Sequence, residues 1–109
     1  MRYLDGVSAK KRPDPVSSHR HVESDLLLFA ARMRAARAVL GWSQTELGKR
    51  AKVTQRAIYR LEKAAVRARH QTEVRINDAF RNAGVEFEDL PNGGFEMSVP
   101  SELVTKSAR

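Results

Sequence analysis

The chain has 109 residues, a net charge of +7 and no cysteine. That length suits one small domain with loose ends, and without cysteine there is neither a disulfide framework nor a thiolate metal cage. The longest apolar run, LLLFAA at 26–31, is far too short to span a bilayer, and MRYLDGVSAKKRPDP has no apolar h-region. Neither a membrane segment nor a secretory leader is expected, and the cytoplasm is the expected compartment.

The charge is uneven. Residues 1–23 carry five Lys/Arg and three acids, residues 24–83 thirteen and five, and residues 84–109 two and five. A basic middle segment favours polyanions, with nucleic acid the commonest. A helical domain that merely has a high pI fits the charge equally well.

In chain order, residues 1–23 read as a disordered arm, because KKRPDPVSSHRH has two prolines, paired serines and no periodic apolar face. His19 and His21 form a His-x-His pair without a further ligand nearby, so no metal site is expected. The first helix is expected from Ser24 or Asp25 to about Leu40, with Leu26, Phe29, Met33, Ala36 and Leu40 forming one apolar stripe. Leu27 and Leu28 lie beside that stripe. Arg32, Arg34 and part of Arg37 fall off it, and Gly41 stops the helix.

Ser43-Gln44-Thr45-Glu46 fits a capping box and predicts a second helix to about Ala51, with Leu47 and Ala51 inward. Lys52 and Val53 make a tight turn. Thr54 caps a third helix that turns Ile58 and Leu61 to the core and leaves Gln55, Arg56, Tyr59 and Arg60 outside. This is a helix-turn-helix layout. A fourth helix is expected over Gln71–Asn82, buried through Ile76, Ala79 and Phe80, with Gly84 at its C′ position. VEFED, PNGG and FEMSV then read as a β-hairpin over 85–99, with Val85, Phe87, Phe95, Met97 and Val99 inward. Residues 100–109 are expected to be a frayed tail.

GWSQTELGKRAKVTQRAIYRLE resembles the Cro/C1-type helix-turn-helix of phage repressors and bacterial XRE regulators. Gly41, Trp42, Ser43, Gln44, Leu47, Val53, Thr54, Ile58 and Glu62 carry the likeness, which covers about residues 33–84. AGVEF…NGG is also similar to small proteobacterial XRE-type regulators associated with mobile elements. Three positions depart from the pattern. Gly48 stands where Ala is usual, and Lys52 stands where the turn usually has Gly. Lys63-Ala64 replaces Asn-Gly, which leaves room for the third helix to run on by a turn.

The resemblance implies a mainly α, compact four- to five-helix, lambda repressor-like domain at 24–84, with the hairpin appended. It implies that residues 54–62 enter the DNA major groove. Gln55, Arg56, Tyr59 and Arg60 would then meet base edges, where Arg pairs with guanine and Gln with adenine. It also implies a salt bridge between Arg37 and Glu62. Gln44 and Thr54, at helix N-termini, suit phosphates, as do Lys63, Arg67 and Arg69 in the following loop, for which a solvated surface is the alternative.

A sequence-specific transcriptional regulator, dimeric on a palindromic operator, is the expected function, with double-stranded DNA as partner. The alternative is an antiactivator that captures another regulatory protein through the apolar start of the first helix and the acidic C-terminal segment. A purely electrostatic DNA coater is a third reading. Enzyme chemistry is not expected. There is no nucleophile–base constellation or phosphate loop, His70 stands alone, and Glu86, Glu88 and Asp89 read as a solvated strand end. No cofactor is expected.

Overall fold

The computed structural model describes residues 15–107, with side chains over residues 24–105. Its first helix, α1, runs Pro15–Leu40 and so begins well before Ser24 and Asp25, the caps expected from the sequence. Proline is favoured at the first helical position, and nothing between Val16 and Glu23 is a Gly or Pro that would break the helix. The first part of the expected arm, residues 1–14, lies outside the described residues, as do the side chains of His19 and His21. Farther along α1, Ala30, Met33 and Ala36 are buried, and Phe29 and Leu40 pack against the core at half burial. Leu27 is 61% exposed.

Helices α2 (Gln44–Ala51) and α3 (Gln55–Glu62) follow as two short elements joined by a tight turn. Ser43 caps α2 by accepting from the Glu46 N–H, and Thr54 caps α3 by accepting from the Ala57 N–H, at 3.0 and 3.1 Å. Only the Ser43 half of the capping box forms, since the Glu46 carboxylate turns to Arg50 Nε at 2.7 Å. In the turn, Lys52 takes a left-handed conformation, φ +60°, and its N–H donates to the Gly48 carbonyl. The Val53 N–H donates to the same oxygen at 2.9 Å. A Cβ at Gly48 would lie 2.5 Å from the Val53 carbonyl oxygen, so the helix and its own turn meet too closely for any side chain.

The third helix does not run on past Glu62. Ala64 adopts φ +57°, and its N–H and that of Ala65 return to the Leu61 and Arg60 carbonyls, both at 3.0 Å. This is a Schellman closure made with alanine where glycine would be unstrained. Helix α4 then spans His70–Asn82, burying Ile76, Ala79 and Phe80, and Gly84 turns the chain out at φ +100°.

Strands β1 (Glu86–Asp89) and β2 (Phe95–Ser98) form an antiparallel hairpin in which Phe87 faces Met97 and Asp89 faces Phe95. An isolated hairpin is marginal in water. This one is tied down by a chain of rings, with Trp42–Phe80 centroids at 6.1 Å, Phe80–Phe87 at 6.2 Å and Phe87–Phe95 at 5.7 Å. Val85 is buried, and Phe87, Met97 and Val99 pack on the core.

The expected frayed tail is instead a helix, α5 (Ser101–Ser107), packed on α1. The Pro100 carbonyl accepts from Leu103 N–H at 3.0 Å to start it, and Leu103 rests on the core. A Cβ at Gly84 would meet both Leu103 and Pro100 at 3.3 Å, so glycine there serves the packing of α5 as well as the turn.

The described residues form a compact, mainly α domain of five helices with a small two-stranded C-terminal hairpin. Its deepest side chains are Phe80, Met33, Leu47, Ile58, Ile76 and Val85, drawn from four helices and the hairpin's base. Burying such a side chain contributes about 1.5–3 kcal/mol. Among the described residues, no helix is long and apolar enough to cross a membrane.

Candidate nucleic-acid interface

The outer surface of α3 follows from its inner one. Ile58, Leu61 and Glu62 are buried, so Gln55, Arg56, Tyr59 and Arg60 are left exposed together on the other side. Tyr59 is 47% exposed, and Lys63, one turn on, sets its ammonium 5.4 Å from the ring centroid. Beyond α3, Lys63, Arg67, Arg69 and His70 are exposed along the chain leading into α4. Among the described residues, Arg56, Arg60, Arg67 and Arg69 have no ion-pair partner. Among the described residues, nothing neutralises their charge, which is the condition for attracting phosphate.

A polar network fixes α3 from behind. Arg37 grips Glu62 with two parallel bonds, Nε to Oε2 at 2.6 Å and Nη2 to Oε1 at 2.8 Å. Its Nη1 donates to the Trp42 carbonyl at 2.9 Å. The Glu62 side chain is only 4% exposed, so this carboxylate needs its partners. Arg37 is held above the ordinary guanidinium value, chiefly by the hydrogen bond to Glu62 and further by that residue's charge, against the opposing effect of burial. One turn earlier on α1, Arg34 Nη1 donates to the Glu62 backbone carbonyl at 2.7 Å, so α1 holds both the side chain and the main chain at the end of α3.

The network reaches the exposed surface through two glutamines. Gln44 Nε2 donates to Glu62 Oε1 at 3.0 Å, and Gln55 Nε2 donates to Gln44 Oε1 at 2.8 Å. Gln44, half-buried at the start of α2, thus connects the buried ion pair to the first residue of α3. Thr54 Oγ1 spends acceptor capacity on its cap and keeps its hydroxyl hydrogen to donate.

Sequence reasoning missed the Gln44–Gln55 bond and the hold of Arg34 on the end of α3. The signal for the first was present, since each glutamine follows a capping residue, but their side-chain contact depends on how α2 and α3 cross. It also missed a second cluster at the hairpin. There Arg32 lies 5.6 and 5.2 Å from the Phe87 and Phe95 ring centroids and pairs with Asp89. Among the described residues, no three His, Cys, Asp or Glu side chains are grouped to hold a metal ion.

A comparison of the chain with known protein families and with curated proteins finds no match.

Proposed function

We propose that this protein is a sequence-specific DNA-binding transcriptional regulator of the Cro/C1 helix-turn-helix kind. α3 enters the major groove, and two copies bind a palindromic operator as a dimer. The observation that carries the reading is the conjunction on α3. Gln55, Arg56, Tyr59 and Arg60 project from a short capped helix whose back is locked by the Arg37–Glu62 pair. A merely solvated basic helix has no need of that lock, whereas a groove reader needs its side chains held in register. Arg56 and Arg60 suit guanine, Gln55 suits adenine, and Tyr59 suits a thymine methyl or a phosphate. Gln44, Thr54, Lys63, Arg67 and Arg69 would hold the flanking backbone. The protein acts in the cytoplasm as a binding module and carries no catalytic role.

The test is binding to the promoter DNA beside the protein's own gene, with excess random duplex as competitor and at two salt concentrations. The Arg56→Ala/Arg60→Ala double variant is run alongside. Each good base pairing is worth about 1–3 kcal/mol, so the variant loses at least tenfold in specific affinity. Binding that the competitor removes and the variant hardly changes would reduce the protein to an electrostatic coater.

A second reading, an antiactivator that captures another regulatory protein, draws on Leu27, 61% exposed on α1, and on the acid-rich C-terminal segment. Retained capture of a regulator by the double variant, without DNA binding, would favour it.

A further inference from the structure

We infer that the cavity between α1, the loop before α4 and the hairpin turn binds a small apolar zwitterion, an apolar amino acid or dipeptide, and that this ligand competes with DNA for Arg67. The site itself goes beyond the DNA-reading proposal, and its effect on DNA rests on that proposal.

The cavity measures about 360 Å³, within the roughly 300–1,000 Å³ of small-molecule sites. Its construction begins in α1. Asp25, Leu28, Phe29 and Arg32 are spaced i, i+3, i+4 and i+7, which stacks them on one helix face. That face, with Leu26 beside it, forms one wall. Leu90 and the two glycines of the hairpin turn form the second. Arg67 and Ala68 from the loop, with Glu73 from the first turn of α4, supply the third.

The polar groups decide the class of ligand. Arg32 pairs with Asp89, so these two charges cancel. Arg67, Asp25 and Glu73 are exposed and, among the described residues, have no ion-pair partner. One free cation and two free anions thus share the cavity with the apolar side chains Leu26, Leu28, Phe29 and Leu90. The unbalanced charge is negative, so a simple anion is repelled and a cation gains two acceptors. A carboxylate still has one partner, Arg67. An apolar body that carries both an ammonium and a carboxylate matches all three features, and an apolar amino acid or dipeptide is such a molecule.

Arg67 is also among the residues that would hold the DNA backbone in the proposed function. A ligand carboxylate and a DNA phosphate compete for its one guanidinium, so the occupied protein meets DNA with one phosphate contact fewer.

The test has two arms, both on the full chain. In the first, L-phenylalanine, L-leucine and L-leucyl-L-phenylalanine are titrated into DNA-free, ¹⁵N-labelled protein and followed by NMR. Saturable shifts are expected at the backbone amides of Phe29, Ala68, Gly93 and Gly94, with a dissociation constant of about 1 mM or tighter for at least one probe. Phenethylamine and phenylacetate, which each lack one charge, should bind about threefold or more weakly than L-phenylalanine. The Asp25→Asn/Glu73→Gln double variant should lose the preference for L-phenylalanine over phenylacetate, and Arg67→Ala the preference over phenethylamine. Melting curves check that each variant is folded. No saturable shift from any of the three probes at about 10 mM, shifts confined to residues away from the cavity, or equal binding of the singly charged analogues would overturn the site. In the second arm, the slope of log affinity for DNA against log salt is measured with and without the tightest probe at saturation. One phosphate contact fewer reduces its magnitude by about one, and an unchanged slope overturns the competition at Arg67. A wild type without sequence preference in the promoter assay sinks the DNA reading instead, and the first arm then decides the site alone.

Discussion

Arg37 and Arg32 both project from α1, and each secures a different part of the molecule, but by different physics. Arg37 holds α3 through a carboxylate that is 4% exposed, and Gln44 adds a further donor to that carboxylate. Arg32 holds the hairpin by lying against Phe87 and Phe95, and its partner Asp89 is 82% exposed. Among the described residues, the buried Arg32 Nε finds no acceptor. A buried carboxylate must be satisfied within the protein or it costs several kcal/mol. At an exposed hairpin tip, water solvates the acid, and the arginine's value lies in its flat, stackable surface. An ion pair in a structure is therefore a measure of stability only once the burial of its acid is known.

The largest expected effect follows from removing the cation of the buried pair. Arg37→Ala strands the Glu62 carboxylate and is expected to cost about 3–5 kcal/mol in urea unfolding, enough to unfold or loosen a marginal domain. Since Arg37 is raised above the ordinary guanidinium value, its charge persists below that value and is lost only at extreme alkaline pH. No pH near neutral should mimic the mutation. A variant with unchanged melting would erase the distinction between the two arginines. Next comes Gln44→Ala, which leaves the pair intact but removes one donor from Glu62. An expected loss of about 1.5 kcal/mol follows from the worth of a hydrogen bond to a charged group. A loss as large as that of Arg37→Ala would mean that the carboxylate depends on the glutamine as much as on the arginine.

How far each of these regions could be read in advance tracks the range of the forces involved. Helices α2, α3 and α4 were legible because caps and apolar spacing are local: Ser43, Thr54 and Gly84 punctuate them, and Leu47, Ile58, Ile76 and Phe80 supply the inner face. The hairpin was legible from its alternation and from Asn92-Gly93. The start of α1 at Pro15 was not, because Ser24 and Asp25 look like caps and yet sit inside a helix. Nor was α5, whose Leu103 finds its place only through contact with Gly84 and the core. At the candidate interface, periodicity could put Gln55, Arg56, Tyr59 and Arg60 on an outer face, but nothing local joins Arg37 to Glu62 across the intervening chain. That pairing entered through the resemblance alone. The Gln44–Gln55 bond and the Arg32 cluster, which depend on the tertiary crossing of elements, were missed.

Methionine substitution sharpens the contrast from the other side. Arg32→Met keeps a long, polarizable side chain against Phe87 and Phe95, and sulfur–aromatic contacts offset much of the lost cation–π attraction. It also removes the buried Nε that has no acceptor. The expected change in stability is within about 1 kcal/mol, whereas Arg37→Met should behave like Arg37→Ala. Thermal melts of the two variants side by side decide the point, and a collapse of Arg32→Met would show that its charge, not its surface, holds the hairpin.

The smallest effect is expected at Asp89. Because that side chain is 82% exposed, an Asp89→Asn substitution trades one well-solvated group for another. Exposed ion pairs contribute about 0–1 kcal/mol and are screened by salt. The variant should therefore lie within about 0.5 kcal/mol of wild type, and raising the salt toward molar concentrations should close whatever gap remains. A double-mutant cycle between Arg32 and Asp89 reports that coupling directly, and the same cycle between Arg37 and Glu62 supplies the scale. Coupling at Asp89 comparable to that at Glu62 would mean that the exposed carboxylate fixes the hairpin against α1, and that exposure is a poor guide to the worth of an ion pair in this fold.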